Sequence, residues 1–186
     1  MAISLANACI NTSLDFALRT IPPNLIEASA TSFDNAFQDL RMAIITPAGA
    51  TFPLPGDDRS RLADRIASLP QRHAGMGHIK ALTKSAPAFY AAHLQCLSDE
   101  RIWKERHLLW DDLKDAYTRI IRMLSAQATQ AGHKLNLLLP TSVDLLAEDP
   151  FVKHFLLTHS KCKPNKLIMA EIADTERMEL RAWTRS

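Results

Sequence analysis

Along nearly the whole chain apolar residues recur at helical intervals, and no stretch alternates apolar and polar residues as a half-buried strand requires. That pattern restricts the fold to helices packed on helices. Prolines and glycines then divide the chain. Ile3, Leu5, Ala6, Ile10, Leu14, Phe16, Ala17 and Leu18 form a first helical segment, and Pro22-Pro23 ends it while fixing φ near the start of the next. Leu25 to Ile45 carries Ile26, Phe33, Phe37, Leu40 and Ile44 on one face, and Pro47 stops it. Residues 46–56, with Pro47, Gly49, Pro53 and Pro55, read as an extended loop. Asp57 or Asp58 offers an N-cap carboxylate for a helix carrying Leu62, Ile66 and Leu69. Pro70 to His78 reads as a loop whose glycines permit a positive φ or a close backbone approach.

Further along, Pro87 opens a helix through Leu97, and Ser98 or Asp99 caps the next element. The longest helix carries Leu109, Leu113, Ala116, Tyr117, Ile120 and Leu124 and ends near Gly132. Thr141 or Ser142, and Asp149 before Pro150, are further helix starts, and a last amphipathic helix spans about 164–183 with Leu167, Ile168, Ile172 and Met178 inward. The expectation is one all-α, irregular helical domain over 1–186, of about seven to eight helices, with no sheet and no internal repeat.

A chain of 186 residues suits one domain against roughly 100–200 residues per domain. Its 47% hydrophobic content excludes disordered and collagen-like classes. No apolar run approaches the roughly 18 residues that span a bilayer, and LNLLLP at 135–140 is far too short. The Met1 end shows no basic stretch before an apolar block, so no secretory signal is expected. Cys9, Cys96 and Cys162 are odd in number and widely separated, which suits a reducing compartment. A soluble, intracellular protein (cytoplasm or nucleus) without a membrane partner is the expectation. His154, His159 and Cys162 lie close together, but no second pair of ligands stands at zinc-finger spacing, so neither metal nor cofactor is expected.

The formal net charge of +2 hides a partition. Residues 1–58 hold 2 basic against 6 acidic residues, residues 59–134 hold 13 against 7, and the remainder balances. Such asymmetry marks either a footprint for a polyanion or an ordinary solvated helical surface, since the cations are interspersed with acids.

Catalytic constellations are absent by pattern. Gly56-Asp57-Asp58 would present metal-binding carboxylates only on a hairpin between apolar strands, whereas it follows proline and precedes a helical pattern. Asp111, Asp112 and Asp115 cluster on one helical turn beside Lys114 and read as a solvated face. There is no G-x-S-x-G, H-E-x-x-H, Walker A or dinucleotide fingerprint. The chain is not expected to be an enzyme; joining Asp111 or Asp115 to a histidine in one pocket would revive that reading. Trp103, Trp110 and Trp183 are candidate interface anchors, or else core residues.

The distinctive stretch is Leu69-Pro-Gln-Arg-His-Ala-Gly-Met-Gly-His78, followed by Ala86-Pro-Ala-Phe-Tyr-Ala-Ala-His-Leu94. It resembles the L-P-x-R-x-G-G-L-G motif and the A-P-A-A-Y helix that lie downstream of the catalytic domain in reverse-transcriptase-like retroelement proteins. Upstream, Phe16-Ala-Leu-Arg-Thr-Ile-Pro-Pro23 resembles the Y-L-L-R-T-x-P-P segment of that group, and Phe33-Asp34 its following "FD". The four matches stand in order across about residues 10–97, with residues 98–186 a helical extension. Ala74 and Met76 depart from the glycine and leucine of the motif, His93 follows the small-residue pair, and no tyrosine-containing YxDD hairpin is present.

The resemblance implies a post-palm, thumb-like helical part without catalytic residues. It places candidate contacts to an RNA or DNA backbone at Arg59, Arg61, Arg65, Arg72, His73, Gly75, Gly77, His78, Lys80 and Lys84, where cations and exposed N–H groups would meet phosphate. The alternative is that Gly75 and Gly77 make a turn between packed helices while Arg72 bonds local carbonyls. Two functions are therefore expected: a non-catalytic reverse-transcriptase remnant with sequence-independent nucleic-acid binding, or a helical interaction subunit that meets protein partners through its helix faces.

Overall fold

The computed structural model describes residues 14–45, 58–69, 76–97, 99–124 and 164–183. These residues form α1 (Asp15–Thr20), α2 (Pro23–Ile45), α3 (Asp58–Ser68), α4 (Ala81–Cys96), α5 (Glu100–Lys104), a 3₁₀ turn at Arg106–Leu108, α6 (Trp110–Met123) and α7 (Pro164–Trp183). No strand occurs among the described residues, and the all-α expectation holds there. The segments 1–13, 46–57, 70–75 and 125–163, which include the expected helix starts at Thr141 and Asp149 and the His154–Cys162 cluster, lie outside the described residues.

The Pro22-Pro23 corner forms as its chemistry requires. Ile21 is extended before proline, at φ −100° and ψ 131°. The Ile21 N–H closes α1 onto the Ala17 carbonyl at 2.9 Å, and the Pro22 carbonyl accepts the Leu25 N–H at 3.0 Å to start α2. Asp99 likewise caps α5 as expected, its Oδ1 accepting the Arg101 N–H at 2.9 Å.

Helix α4 is the centre of the described helices. Ala81, Ser85, Ala86, Pro87, Ala88, Phe89, Tyr90, Ala91 and Leu94 are all buried, so α4 is enclosed on every side rather than along one stripe. One cluster joins its Ala86, Phe89, Tyr90 and Leu94 to Leu113, Ala116 and Ile120 of α6 and to Ile168 and Ile172 of α7. A second joins Ala81 and Ala88 to Leu18 of α1 and Ile26 and Ala30 of α2. The alanines allow four helices to approach one axis closely.

Several sequence expectations change at this hub. Pro87 does not open α4 but lies inside it, six residues after the start at Ala81. It forfeits the hydrogen bond its N–H would have made, and a helix interior tolerates that only where packing outweighs a cost of about 3 kcal/mol. The true start is fixed from another helix: Asp34 of α2 accepts the Ala81 N–H on Oδ1 at 2.7 Å and the Leu82 N–H on Oδ2 at 3.0 Å. Lys80, the local N-cap residue, makes no side-chain cap.

Helix α6 stops at Met123, with Leu124 extended and turned into the core, rather than near Gly132, and α2 is longer at 23 residues against 14. On α2 the buried stripe runs Ile26, Ala30, Phe37, Arg41, leaving Leu40 and Ile44 exposed. On α3 Ala67 is buried while Ile66 is exposed, Leu69 just past its end is buried, and on α7 Thr175 and Leu180 are buried while Met178 is exposed.

Asp34→Ala removes a charged acceptor from two helix-terminal N–H groups. It should cost about 1–2 kcal/mol in urea unfolding, whereas Asp39→Ala on the exposed face of the same helix should stay within about 0.5 kcal/mol.

Candidate functional site

The distinctive glycine segment folds back on α3. Gly77 sits at φ 73°, a left-handed geometry that a β-carbon disfavours. From there its N–H donates to the Leu69 carbonyl at 2.9 Å, and the His78 N–H donates to the Ala67 carbonyl at 3.2 Å. These bonds satisfy carbonyls that the end of α3 leaves open. The two N–H groups expected to meet phosphate at Gly77 and His78 are thus committed within the fold.

Four residues surround this turn. The His78 ring is buried and stacks on Phe37 of α2, with centroids 4.1 Å apart and planes 20° apart. Arg41, only 6% exposed, donates from Nη2 to Asp64 Oδ1 at 3.0 Å. Lys80 donates to the other Asp64 oxygen. Burial pushes the Asp64 carboxyl up, but Lys80 and Arg41 outweigh it and hold the group below its ordinary value. For His78, burial pulls the imidazole below its ordinary value, Asp34 and Asp64 oppose the drop, and Arg41 and Lys80 add to it.

Lys84, the next candidate cation, pairs with Asp15 of α1. Three aspartates on three helices, Asp15, Asp34 and Asp64, therefore hold residues 80–84 in place. A fourth bond repeats the theme, as Glu27 of α2 accepts from Arg119 of α6 at 2.9 Å, with Asp115 on the same guanidinium at 2.8 Å. Two of these pairs cross the charge partition seen in the sequence, Asp15 with Lys84 and Glu27 with Arg119.

Arg65 is exposed on α3 and lines a crevice of about 180 Å³ with Lys80, Thr83 and Glu176 above an apolar floor that includes Met169 and Ile172. Arg59 and Arg61 lie on α3, but their side chains are outside the described set, and Arg72, His73 and Gly75 lie outside the described residues altogether. Trp110 is half-buried against the central cluster, with Lys114 Nζ 6.0 Å from its ring centroid, while the side chains of Trp103 on α5 and Trp183 on α7 are not described. Asp115 is tied to Arg119. Among the described residues no group of three or more His, Cys, Asp or Glu side chains is placed to hold a metal ion.

Comparison with protein-family models, with curated proteins and with solved structures gives no match to this chain.

Arg41, Asp64 and Asp15 escape a reading by motif. Arg41 had a signal, since it continues the α2 stripe four residues beyond Phe37, where an aliphatic residue is expected. Asp64 is the lone acid among Arg59, Arg61 and Arg65.

Removing the carboxylate that a buried guanidinium depends on should be costly: Asp64→Ala is expected to lose about 3 kcal/mol in denaturant unfolding. Lys80→Ala, at a partly exposed pair, should lose less than about 1 kcal/mol. Because the folded pKa of Asp64 is depressed, its contribution is fully present above pH 3.8 and is lost as pH falls through the folded value. Wild-type and Asp64→Asn melts compared between pH 6 and 2 should converge at the acid end.

Proposed function

We propose that this chain is a non-catalytic helical module of the kind it resembles, the post-palm, thumb-like part of reverse-transcriptase-like retroelement proteins. In this reading it is one intracellular domain of about seven or eight helices whose work is packing and positioning, with weak, sequence-independent contact to an RNA or DNA backbone. One observation supports it above others: the upstream segment and the "FD" segment of the resemblance both meet α4, the helix of the Ala-Pro-Ala-Phe-Tyr match. Asp34 of the "FD" match caps the helix of the Ala-Pro-Ala-Phe-Tyr match. Gly77 of the glycine match closes on Leu69 at that motif's own start, and Leu18 of the upstream match packs with Ala81 and Ala88.

The same geometry limits the nucleic-acid contact. Lys80 and Lys84 already face carboxylates and His78 is buried, so binding draws on what remains of the basic third. Such binding follows counterion release and falls steeply with salt.

A second reading, a helical interaction subunit, is favoured by Phe16 and Leu25. These flank the Pro22-Pro23 corner at 79% and 71% exposure, two large apolar side chains on either side of one corner. Light-scattering mass of the purified protein tests it, and a strict monomer with no co-purifying partner counts against it.

For the first reading, fluorescence anisotropy with a labelled RNA–DNA hybrid should give binding at low salt that weakens at least tenfold at physiological salt. The triple change Arg59→Ala, Arg61→Ala and Arg72→Ala should weaken it further. No binding at low salt, or an unaffected triple variant, sinks the nucleic-acid part of the proposal.

A further inference from the structure

The turn that packs the glycine segment contains a titratable group with nowhere to put a proton. His78 is 3% exposed, and its Nδ1 is buried without a hydrogen-bond partner. The ring lies flat on Phe37, and the backbone on either side is tied to α3 through the Gly77 and His78 N–H groups. The imidazole therefore cannot reach water unless this backbone lifts.

The surroundings are poor in acceptors. The charged groups facing His78 are Asp34 and Arg41 from α2, Asp64 from α3, and Lys80 from its own segment. Both Asp64 oxygens already accept from cations, and both Asp34 oxygens accept backbone N–H groups of α4. Arg41 Nη1, a buried donor in the same cluster, itself finds no acceptor. An imidazolium here would add a second N–H to a site that leaves one guanidinium N–H unmatched, a costly arrangement in a buried setting.

We propose that His78 is a proton-triggered latch: in mildly acidic solution its protonation releases the segment Met76–Lys80 from α2 and α3, while the α4–α6–α7 core stays folded. In the closed form the imidazole is neutral, and burial keeps its affinity for a proton below that of the exposed group. The sign follows by linkage. The open form binds the proton with the ordinary value of 6.5 and the closed form binds it more weakly, so acidification below 6.5 favours opening. Opening also parts Lys80 from Asp64, which returns one cation to the surface in the basic part of the chain.

The test is amide hydrogen exchange by NMR on the full chain, with protection factors corrected for the intrinsic pH dependence of exchange. Between pH 7.5 and 5.5 the protection of the Gly77 and His78 amides should fall about tenfold, while Tyr90 and Ile120 in the core should hold theirs. His78→Phe keeps a ring against Phe37 but cannot titrate, and its Gly77 amide should show no such fall. The wild-type His78 ring resonances provide a check that needs no variant. They should titrate below 6.5, with the loss of amide protection beginning at higher pH than the ring's own midpoint. A ring that titrates at or above 6.5 with the amides still protected overturns the proposal. So does an equal tenfold fall in His78→Phe, or a parallel loss across Tyr90 and Ile120.

Discussion

The carboxylate of Asp34 is the contact on which the arrangement of the described helices rests. It lies in the interior of α2 yet closes the N-terminus of α4, with one oxygen on each of two adjacent N–H groups. A helix that starts with lysine and contains proline has poor local reasons to begin at Ala81. The cap supplies the missing one from outside, and the negative charge also suits the positive end of the helix dipole. With the start of α4 fixed, Ala86, Phe89 and Leu94 fall opposite α6 and α7, and Ala81 and Ala88 fall opposite α1 and α2.

Charge complementarity within the chain does the rest of the positioning. Asp15 and Asp64 set the two lysines that bracket the start of α4, and Glu27 reaches Arg119 across to α6. Exposed pairs of this sort stabilise little individually. The Arg41–Asp64 pair differs because Arg41 is buried, so its cost of disruption exceeds its net gain. These pairs act as register pins: they decide which face of α3 and α4 turns inward more than they add to the total free energy.

Much of the fold was legible because helical periodicity survives in a chain most of whose described helices, α4 apart, bury one stripe. The Pro22-Pro23 corner, the stop before Pro47, the Asp99 cap and the Leu113–Ala116–Ile120 stripe all follow from local chemistry. The failures share a cause. Pro87 reads as a helix start only if capping is local, and here it comes from a residue 47 positions away. Leu40 and Ile44 read as core only if apolar residues alone define the buried face, and Arg41 takes that place because Asp64 receives its charge. At the candidate site the glycine loop was legible as one that permits a positive φ or a close backbone approach, and Gly77 takes the positive φ. Its partners were not, because the acids that hold Lys80 and Lys84 lie 16 and 69 residues away.

A single helix serving both apolar clusters also bears on how the molecule responds to force and to change. Because α1 and α2 grip one face of α4 while α6 and α7 grip another, a tilt of that helix to relieve crowding on one side opens space on the other. Small residues such as Ala86 and Ala88 leave no slack to absorb such a tilt. The two halves of the described structure therefore share one packing partner, and a substitution that moves α4 on the α1–α2 side also alters its packing against α6 and α7.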